Sequence, residues 1–268
     1  MTQPAASSKR LGNTPECTAQ LVEVFSAIQG EGINVGTRQI FIRFGACDLR
    51  CSFCDSAHTW VTPTSCQIER SPGLRDFETH PNPIPLPTLL SWVEQQNYPG
   101  LHDSISLTGG EPLLHAPFLV NFLPQVRQRT GLPIYLETGG HRPKQLSMIL
   151  PYLDIIGMDV KLPSVSGEVL WQAHREFLEH AITAPVELFV KIIISQQTEL
   201  ADLVKAAKMV AATNPQIPVI LQPVTPLDCS GALLAPTPEQ VLTWQTLMKH
   251  SLKSVRVIPQ THKAIGQI

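Results

Sequence analysis

Seven short runs rich in β-branched and other apolar residues, with helical patterns between them, constrain this chain more than any other feature. They lie at residues 38–44 (RQIFIRF), 104–108 (SISLT), 133–137 (PIYLE), 154–160 (DIIGMDV), 187–194 (ELFVKIII), 218–222 (PVILQ) and 254–258 (SVRVI). Runs of this length and make-up read as strands. One helical face is marked by Leu200, Leu203, Val204, Ala207, Val210 and Ala211. Another is marked by Val241, Trp244, Leu247, Met248 and Leu252, and it opens at a Thr237 cap with Pro238 in the first position. Alternation of strand and helix predicts parallel strands joined by right-handed crossovers. About six βα units are too few to close an eight-stranded barrel. The expected fold is therefore α/β, a partial, open TIM-like βα barrel of about six parallel strands, with a hairpin-like N-terminal extension over residues 21–45.

Composition narrows the class. The chain has 268 residues, 43% of them hydrophobic and 16% charged, which excludes a disordered or collagen-like protein. We expect a flexible tail over residues 1–20 and a single domain over residues 21–268. Twenty Lys and Arg against 22 Asp and Glu leave a net charge of −2 with no run of either sign, so neither a nucleic-acid surface nor an anionic-membrane surface is expected. No apolar run approaches the ~18 residues of a membrane span. Met1 to Thr14 lacks the basic-then-apolar pattern of a secretion signal, and the expected location is cytoplasmic. Proline makes up 24 of 268 residues, about 9% against a usual ~5%. Six of the 24 fall between Thr62 and Thr88, and residues 62–88 are expected to be a rigid, Pro-rich insertion loop.

In folds of this kind chemistry gathers at the C-terminal edge of the strands. Cys47 follows the first core strand, Gly109-Gly110-Glu111 the second, Glu137-Thr138-Gly139-Gly140 the third, Lys161 the fourth and Gln222 the sixth. Of six cysteines, Cys47, Cys51 and Cys54 form a CxxxCxxC run, while Cys17, Cys66 and Cys229 are scattered. In a reducing compartment such a cluster suggests a metal before a disulfide. Three thiolates in one loop suit an iron–sulfur cluster with one iron left open to bind a substrate. The residues alone also admit a four-cysteine structural zinc with Cys66 as the fourth ligand.

Cys47, Cys51 and Cys54, with Phe53 before the last cysteine, resemble the signature of the radical S-adenosylmethionine (SAM) superfamily. Thr108-Gly109-Gly110-Glu111-Pro112 resembles its GGE element, where glycines let the backbone approach the methionine end and a carboxylate complements its ammonium. The match narrows through Ile28-Gln29-Gly30-Glu31-Gly32, Arg43-Phe44-Gly45-Ala46-Cys47, Cys54-Asp55-Ser56, Leu221-Gln222-Pro223 and Thr261-His262-Lys263, with QTHK near the end. Together these motifs are similar to those of the 7-carboxy-7-deazaguanine synthase family, and they span the chain from about residue 25 to its end.

The resemblance implies the partial barrel of the radical SAM type, a [4Fe–4S] cluster, SAM and Mg²⁺ as cofactors, and a lyase reaction of queuosine and 7-deazapurine biosynthesis. In that reaction 6-carboxy-5,6,7,8-tetrahydropterin becomes 7-carboxy-7-deazaguanine with loss of ammonia. Cys47, Cys51 and Cys54 would hold the cluster, and Ser56 would offer its hydroxyl to Mg²⁺. The pterin would meet Ile28, Gln29, Gly30, Glu31, Arg43, Thr108, His262 and the main-chain carboxylate of Ile268. Gln29 and Glu31 suit its amide and amino edge, and Arg43 suits its carboxylate. SAM would lie along Phe53, Cys54, Asp55, Gly110, Glu111, Glu137, Asp159, Lys161 and Gln222. Asp159-Val160-Lys161 departs from a Ser-Pro-Lys triplet of some relatives, and a strand-end ion pair is the other reading of Asp159 and Lys161. Glu31 and His262 are the candidate catalytic residues. An electron donor such as flavodoxin or ferredoxin and a homodimeric state are implied as well. A glycyl-radical-enzyme activase, which shares the cysteine run and the GGE element, is a rival reading.

Overall fold

The computed structural model describes residues 17–225 and 233–267. Its strands are β1 (Thr18–Ala19), β2 (Leu21–Ile28), β3 (Arg38–Phe44), β4 (Ser65–Glu69), β5 (Phe77–Pro81), β6 (Ile84–Pro85), β7 (Ser104–Gly109), β8 (Ile134–Thr138), β9 (Ile155–Asp159), β10 (Glu187–Ile194), β11 (Val219–Pro223) and β12 (Val255–Val257). Its helices are α1 (Leu86–Gln96), α2 (Ala116–Thr130), α3 (Pro143–Ile149), α4 (Pro163–Ser166), α5 (Trp171–Ala181), α6 (Leu200–Thr213), α7 (Pro238–Lys249) and α8 (Thr261–Ala264). Ten strands form one sheet in the order β12-β11-β10-β9-β8-β7-β3-β2-β4-β5. From β3 through β12 every pairing is parallel, giving the open βα barrel expected from the alternation. The expected N-terminal hairpin is the antiparallel pair β2–β3. The Thr237 cap is a full capping box with Gln240, and Pro238 opens α7.

Two boundaries differ from expectation. Residues 62–88 are not a loop: β4 and β5 form an antiparallel hairpin on the edge of the sheet beside β2. Its prolines occupy places that a strand edge or helix start tolerates. Pro72-Gly73 makes a turn in which Leu74 N–H donates to Ser71 C=O at 3.0 Å and Gly73 has φ +81°, Pro81 ends the outermost strand, and Pro87 lies in the first turn of α1. Paired structure also extends into the expected tail, because Thr18–Ala19 pairs with Ile84–Pro85 and Ala19 is buried.

Strand alternation sorts the side chains into two layers. Leu136, Ile156, Met158, Leu188, Val190, Ile192, Val219 and Leu221 enter the large core that also holds buried helix residues such as Leu146, Phe177, Leu203 and Val210. On the opposite face Tyr135, Phe189 and Ile220 form a smaller buried cluster. Gly157 makes room there, since a Cβ at that position would stand 2.7 Å from both Phe189 Cζ and the Tyr135 hydroxyl. Above this floor the same inward parity brings Glu137, Asp159, Lys191 and Gln222 to the mouth. No helix among the described residues is long and apolar enough to cross a membrane.

Candidate active site

A cavity of about 700 Å³ opens at the C-terminal edge of the strands. Apart from Ile268, which lies outside the described residues, every site residue named from the sequence lines it. The three cysteines of the run share this wall, whereas Cys66 is buried on β4 in the apolar core and does not line it. The zinc reading therefore loses its fourth ligand.

The cysteine loop is built to project from the barrel. Ala46, with φ +72°, turns the chain out of β3 in a conformation that L-residues seldom adopt. The GGE segment continues the pairing beyond β7, with Gly110 N–H donating to Phe44 C=O at 3.0 Å and Glu111 N–H to Ala46 C=O at 2.9 Å. A Cβ at Gly110 would lie 2.0 Å from the Ala46 oxygen, so only glycine fits. Arg50 braces the loop from within, donating to the carbonyls of Cys47 at 2.8 Å and Leu49 at 2.7 Å, its guanidinium 5.1 Å from the Trp60 ring centre. Ser52 ties the loop to the segment after β9 through Val165 C=O at 2.5 Å. Burial pushes the Cys47 thiol up to about 11 and raises Cys51 as well. Such thiols stay protonated until a metal displaces the proton, as expected of a ligand set that loads with release of protons.

Glu111 is buried and held by its own loop and by the end of β8. Its carboxylate accepts from Leu113 N–H at 3.0 Å, Thr138 Oγ1 at 2.9 Å and Gly139 N–H at 2.9 Å. Lys161 Nζ pairs with Asp159 Oδ2 at 2.7 Å and lies 5.0 Å from the Phe53 ring centre, so the strand-end ion pair is present. Lys161 N–H donates to His174 Nε2 at 3.0 Å, while His174 Nδ1 pairs with Gly140 C=O at 2.9 Å, which fixes the imidazole as the Nδ1–H tautomer. Gln222 is buried, and its Oε1 is without a hydrogen-bond partner among the described residues.

A second cluster of polar groups occupies the other side. Gln29 donates to Gln39 Oε1 at 3.0 Å and Glu137 Oε1 at 3.3 Å, and accepts from Glu31 N–H at 2.9 Å. Glu137 also accepts from Thr108 Oγ1 at 2.9 Å and the Tyr135 hydroxyl at 3.1 Å. The sequence reading set Glu137 among the cofactor contacts. Its hydrogen bonds tie it to Gln29 and Thr108, and to Tyr135 on the same strand face. Burial, with the charges of Glu31 and Asp159, raises its carboxyl above the ordinary range despite opposition from Lys191. Arg43 pairs through Nε with Glu23 at 2.6 Å, which leaves its two terminal nitrogens for another carboxylate.

Among the cavity residues given no role from the sequence are Lys191 and, within the QTHK motif, Gln260 and Lys263. Lys191 Nζ contacts Glu31 Oε2 and lies 3.3 Å from Asp159 Oδ1. Gln260 donates to Glu31 Oε1 at 2.7 Å and Asp55 Oδ2 at 2.8 Å, and accepts from Lys263 at 2.6 Å. Lys263 Nζ is 3.0 Å from Asp55 Oδ2. Burial opposes charge on Glu31 and on Asp55, yet these partners hold both carboxyls below their usual range. The C-terminal segment is seated by Thr261 N–H on Gly30 C=O at 2.9 Å, which brings half-buried His262 against Gly30.

An open βα barrel with three free thiols and a GGE turn at its strand ends is the layout of radical SAM proteins, and the Radical SAM superfamily model matches residues 41–194. A 7-carboxy-7-deazaguanine synthase of Geobacter sulfurreducens is 46% identical over 254 residues, covering 93% of this chain and 98% of that one. The synthase of Methanothermobacter thermautotrophicus is 31% identical over 266 residues, covering 92% and 97%. The chain belongs to the 7-carboxy-7-deazaguanine synthase family of the radical SAM superfamily. Solved structures agree on the fold. QueE from Escherichia coli superposes with a TM-score of 0.56 at 21% identity, covering 91% of this chain and 95% of that chain. Streptococcus suis SuiB bound to S-adenosylmethionine gives 0.52 at 11% identity, covering 82% and 51%.

Proposed function

We propose that this chain converts 6-carboxy-5,6,7,8-tetrahydropterin to 7-carboxy-7-deazaguanine and ammonia, a radical SAM lyase reaction in queuosine and deazapurine biosynthesis. The observation that carries this reading is the sharing of one cavity. The cysteine and GGE elements face a donor–acceptor set, Gln29, Glu31, Thr108 and Glu137, suited to a pterin edge. Family membership argues the same way.

The residues fit the cofactors the family implies. Cys47, Cys51 and Cys54 are free and share a wall, and three protein thiolates leave one iron of a [4Fe–4S] cluster open. When bound, the cluster and SAM supply an electron and then a carbon-centred radical able to take a hydrogen atom from the substrate. Gly110, with no side chain in the way, lets SAM approach the backbone, and the buried, partnerless Gln222 Oε1 offers it an acceptor. Asp159 and Lys161 meet its polar end. Ser56 donates to Asp55 Oδ1 at 3.0 Å, so the lone pairs of its hydroxyl stay open to Mg²⁺.

On the substrate side, the terminal nitrogens of Arg43 grip the pterin carboxylate and Glu31 accepts from the ring N–H edge. Gln29 and Thr108 fix its orientation, and His262 with the C-terminal segment closes over it. Closure excludes water and protects reactive intermediates. Glu31, ionised, and half-buried His262 are the groups placed to take and return protons as ammonia leaves. An external reductant such as flavodoxin or ferredoxin, a homodimer and the reducing cytoplasm complete the reading. Anaerobic incubation with SAM, reductant, Mg²⁺ and the carboxytetrahydropterin tests it by mass spectrometry. The deazaguanine product and ammonia in equal amounts are expected, and SAM cleavage without that product would overturn the reading.

A further inference from the structure

Lys191 stands in the middle of β10, the one charged residue in the run Leu188–Ile194, and its side chain is only 12% exposed. Strand alternation turns it inward. Leu188, Val190 and Ile192 belong to the helix-side core, and Phe189 to the floor beneath the cavity. In the β9–β10 ladder it stands opposite Asp159, and its ammonium lies between Asp159 Oδ1 and Glu31 Oε2. Glu31 is 160 residues away, on the turn that follows β2. We infer that Lys191 is a positioning residue: anchored by Asp159, its ammonium fixes the Glu31 carboxylate in place, as an acceptor, against the N–H edge of the pterin. This rests on the function proposed above.

Geometry and charge both carry the assignment. Both Glu31 oxygens are pinned, Oε2 by Lys191 and Oε1 by Gln260, and the residue's own N–H is tied to Gln29. Each oxygen keeps a lone pair, so the carboxylate cannot rotate freely yet still accepts from a ligand. Around Glu31 stand Asp55 from the cysteine loop, Glu137 and Tyr135 from β8, Asp159 from β9, and His262 and Lys263 from the C-terminal segment. Lys191 is the cation in contact with it. A neutral carboxyl would present an O–H donor to a substrate edge that is itself a donor. Lys161 has another task, since its ammonium faces Asp159 Oδ2 and the Phe53 ring on the cofactor side. Removing one member of a buried ion pair strands the other charge, whereas removing both can be tolerated.

The test is anaerobic calorimetry on the cluster-loaded enzyme without reductant, with SAM and 6-carboxy-5,6,7,8-tetrahydropterin as the probes. Lys191→Met should weaken pterin binding at least tenfold and change SAM binding less than threefold. In a Glu31→Gln background the same change should alter pterin binding less than threefold, because the carboxylate it serves is gone. Equal losses in both backgrounds, or no loss in the wild-type background, would overturn the assignment. So would a loss that falls first on SAM. Lys191→Gln, which keeps a donor without the charge, reads the same constants if the methionine variant fails to fold. Wild-type enzyme that neither binds nor converts the pterin would remove the functional reading itself, while normal wild-type conversion beside unimpaired pterin binding in Lys191→Met sinks this inference alone.

Discussion

A methyl group placed on Gly30 would stand 2.2 Å from Nδ1 and 2.5 Å from Cβ of His262. The turn after β2 and the C-terminal segment thus meet face to face, and the approach depends on there being no side chain at position 30. Gly30→Ala is expected to push α8 off the cavity and lower turnover at least tenfold, with the iron content unchanged. Full turnover would mean that the segment's position does not matter to the reaction.

The division of the cysteines is tested by iron and sulfide analysis with the absorbance near 400 nm. Alanine at Cys47, Cys51 or Cys54 should abolish the cluster. Alanine at Cys66, a core thiol that burial pushes up to about 11, should cost roughly 1 kcal/mol or more of stability and leave the cluster intact. Loss of iron in the Cys66 variant with retention in Cys51→Ala would reverse the assignment. Cys17 sits half-buried beside the core and should behave like Cys66, and Cys229 lies outside the described residues.

Arg43 offers a sharper substrate test. With Nε engaged by Glu23, its terminal nitrogens form a planar pair that lysine cannot reproduce. Arg43→Lys should raise KM for the pterin about tenfold or more while uncoupled SAM cleavage continues. Failure to bind SAM would move Arg43 to the cofactor side.

Much of this was legible in local pattern. β3 and β10 begin and end where their apolar runs do, and the capping residues of α7 name its start. The β4–β5 hairpin was hidden because six prolines outweighed a five-residue alternation. Cys66 and Ile68 are buried and Gln67 exposed, and that was the signal available. The cavity motifs were readable because each lies at the end of a strand. Lys191 was not: its run reads as a plain buried strand, and its meaning comes from the parallel register with Asp159 and from Glu31, far away in sequence. Gln260 gains its role in the same way, by bridging Glu31 and Asp55.

Acid should destabilise the fold through two buried histidines. Burial pushes His174 and His102 down to about 4 from an ordinary 6.5. Between pH 6.5 and 4 the unfolded chain binds protons that the folded chain refuses, so stability present above pH 6.5 falls as pH drops through that window. The slope is about 1.4 kcal/mol per pH unit for each histidine. His174→Gln should remove one proton's share of that slope in denaturant midpoints measured from pH 7 to 4.5. An unchanged slope would contradict the account.

The central claim is that one cavity delivers a SAM-derived radical to a bound carboxytetrahydropterin. The most direct measurement uses substrate deuterated at C6, with SAM, Mg²⁺ and reductant under anaerobic conditions, followed by mass spectrometry of every species. The account predicts deuterium at the 5′ carbon of recovered SAM and in 7-carboxy-7-deazaguanine, because the 5′-carbon radical takes the C6 hydrogen and returns it as SAM re-forms, with many product molecules formed per SAM consumed. Deuterium that stays at its original carbon, or 5′-deoxyadenosine formed with no deazaguanine, would contradict it.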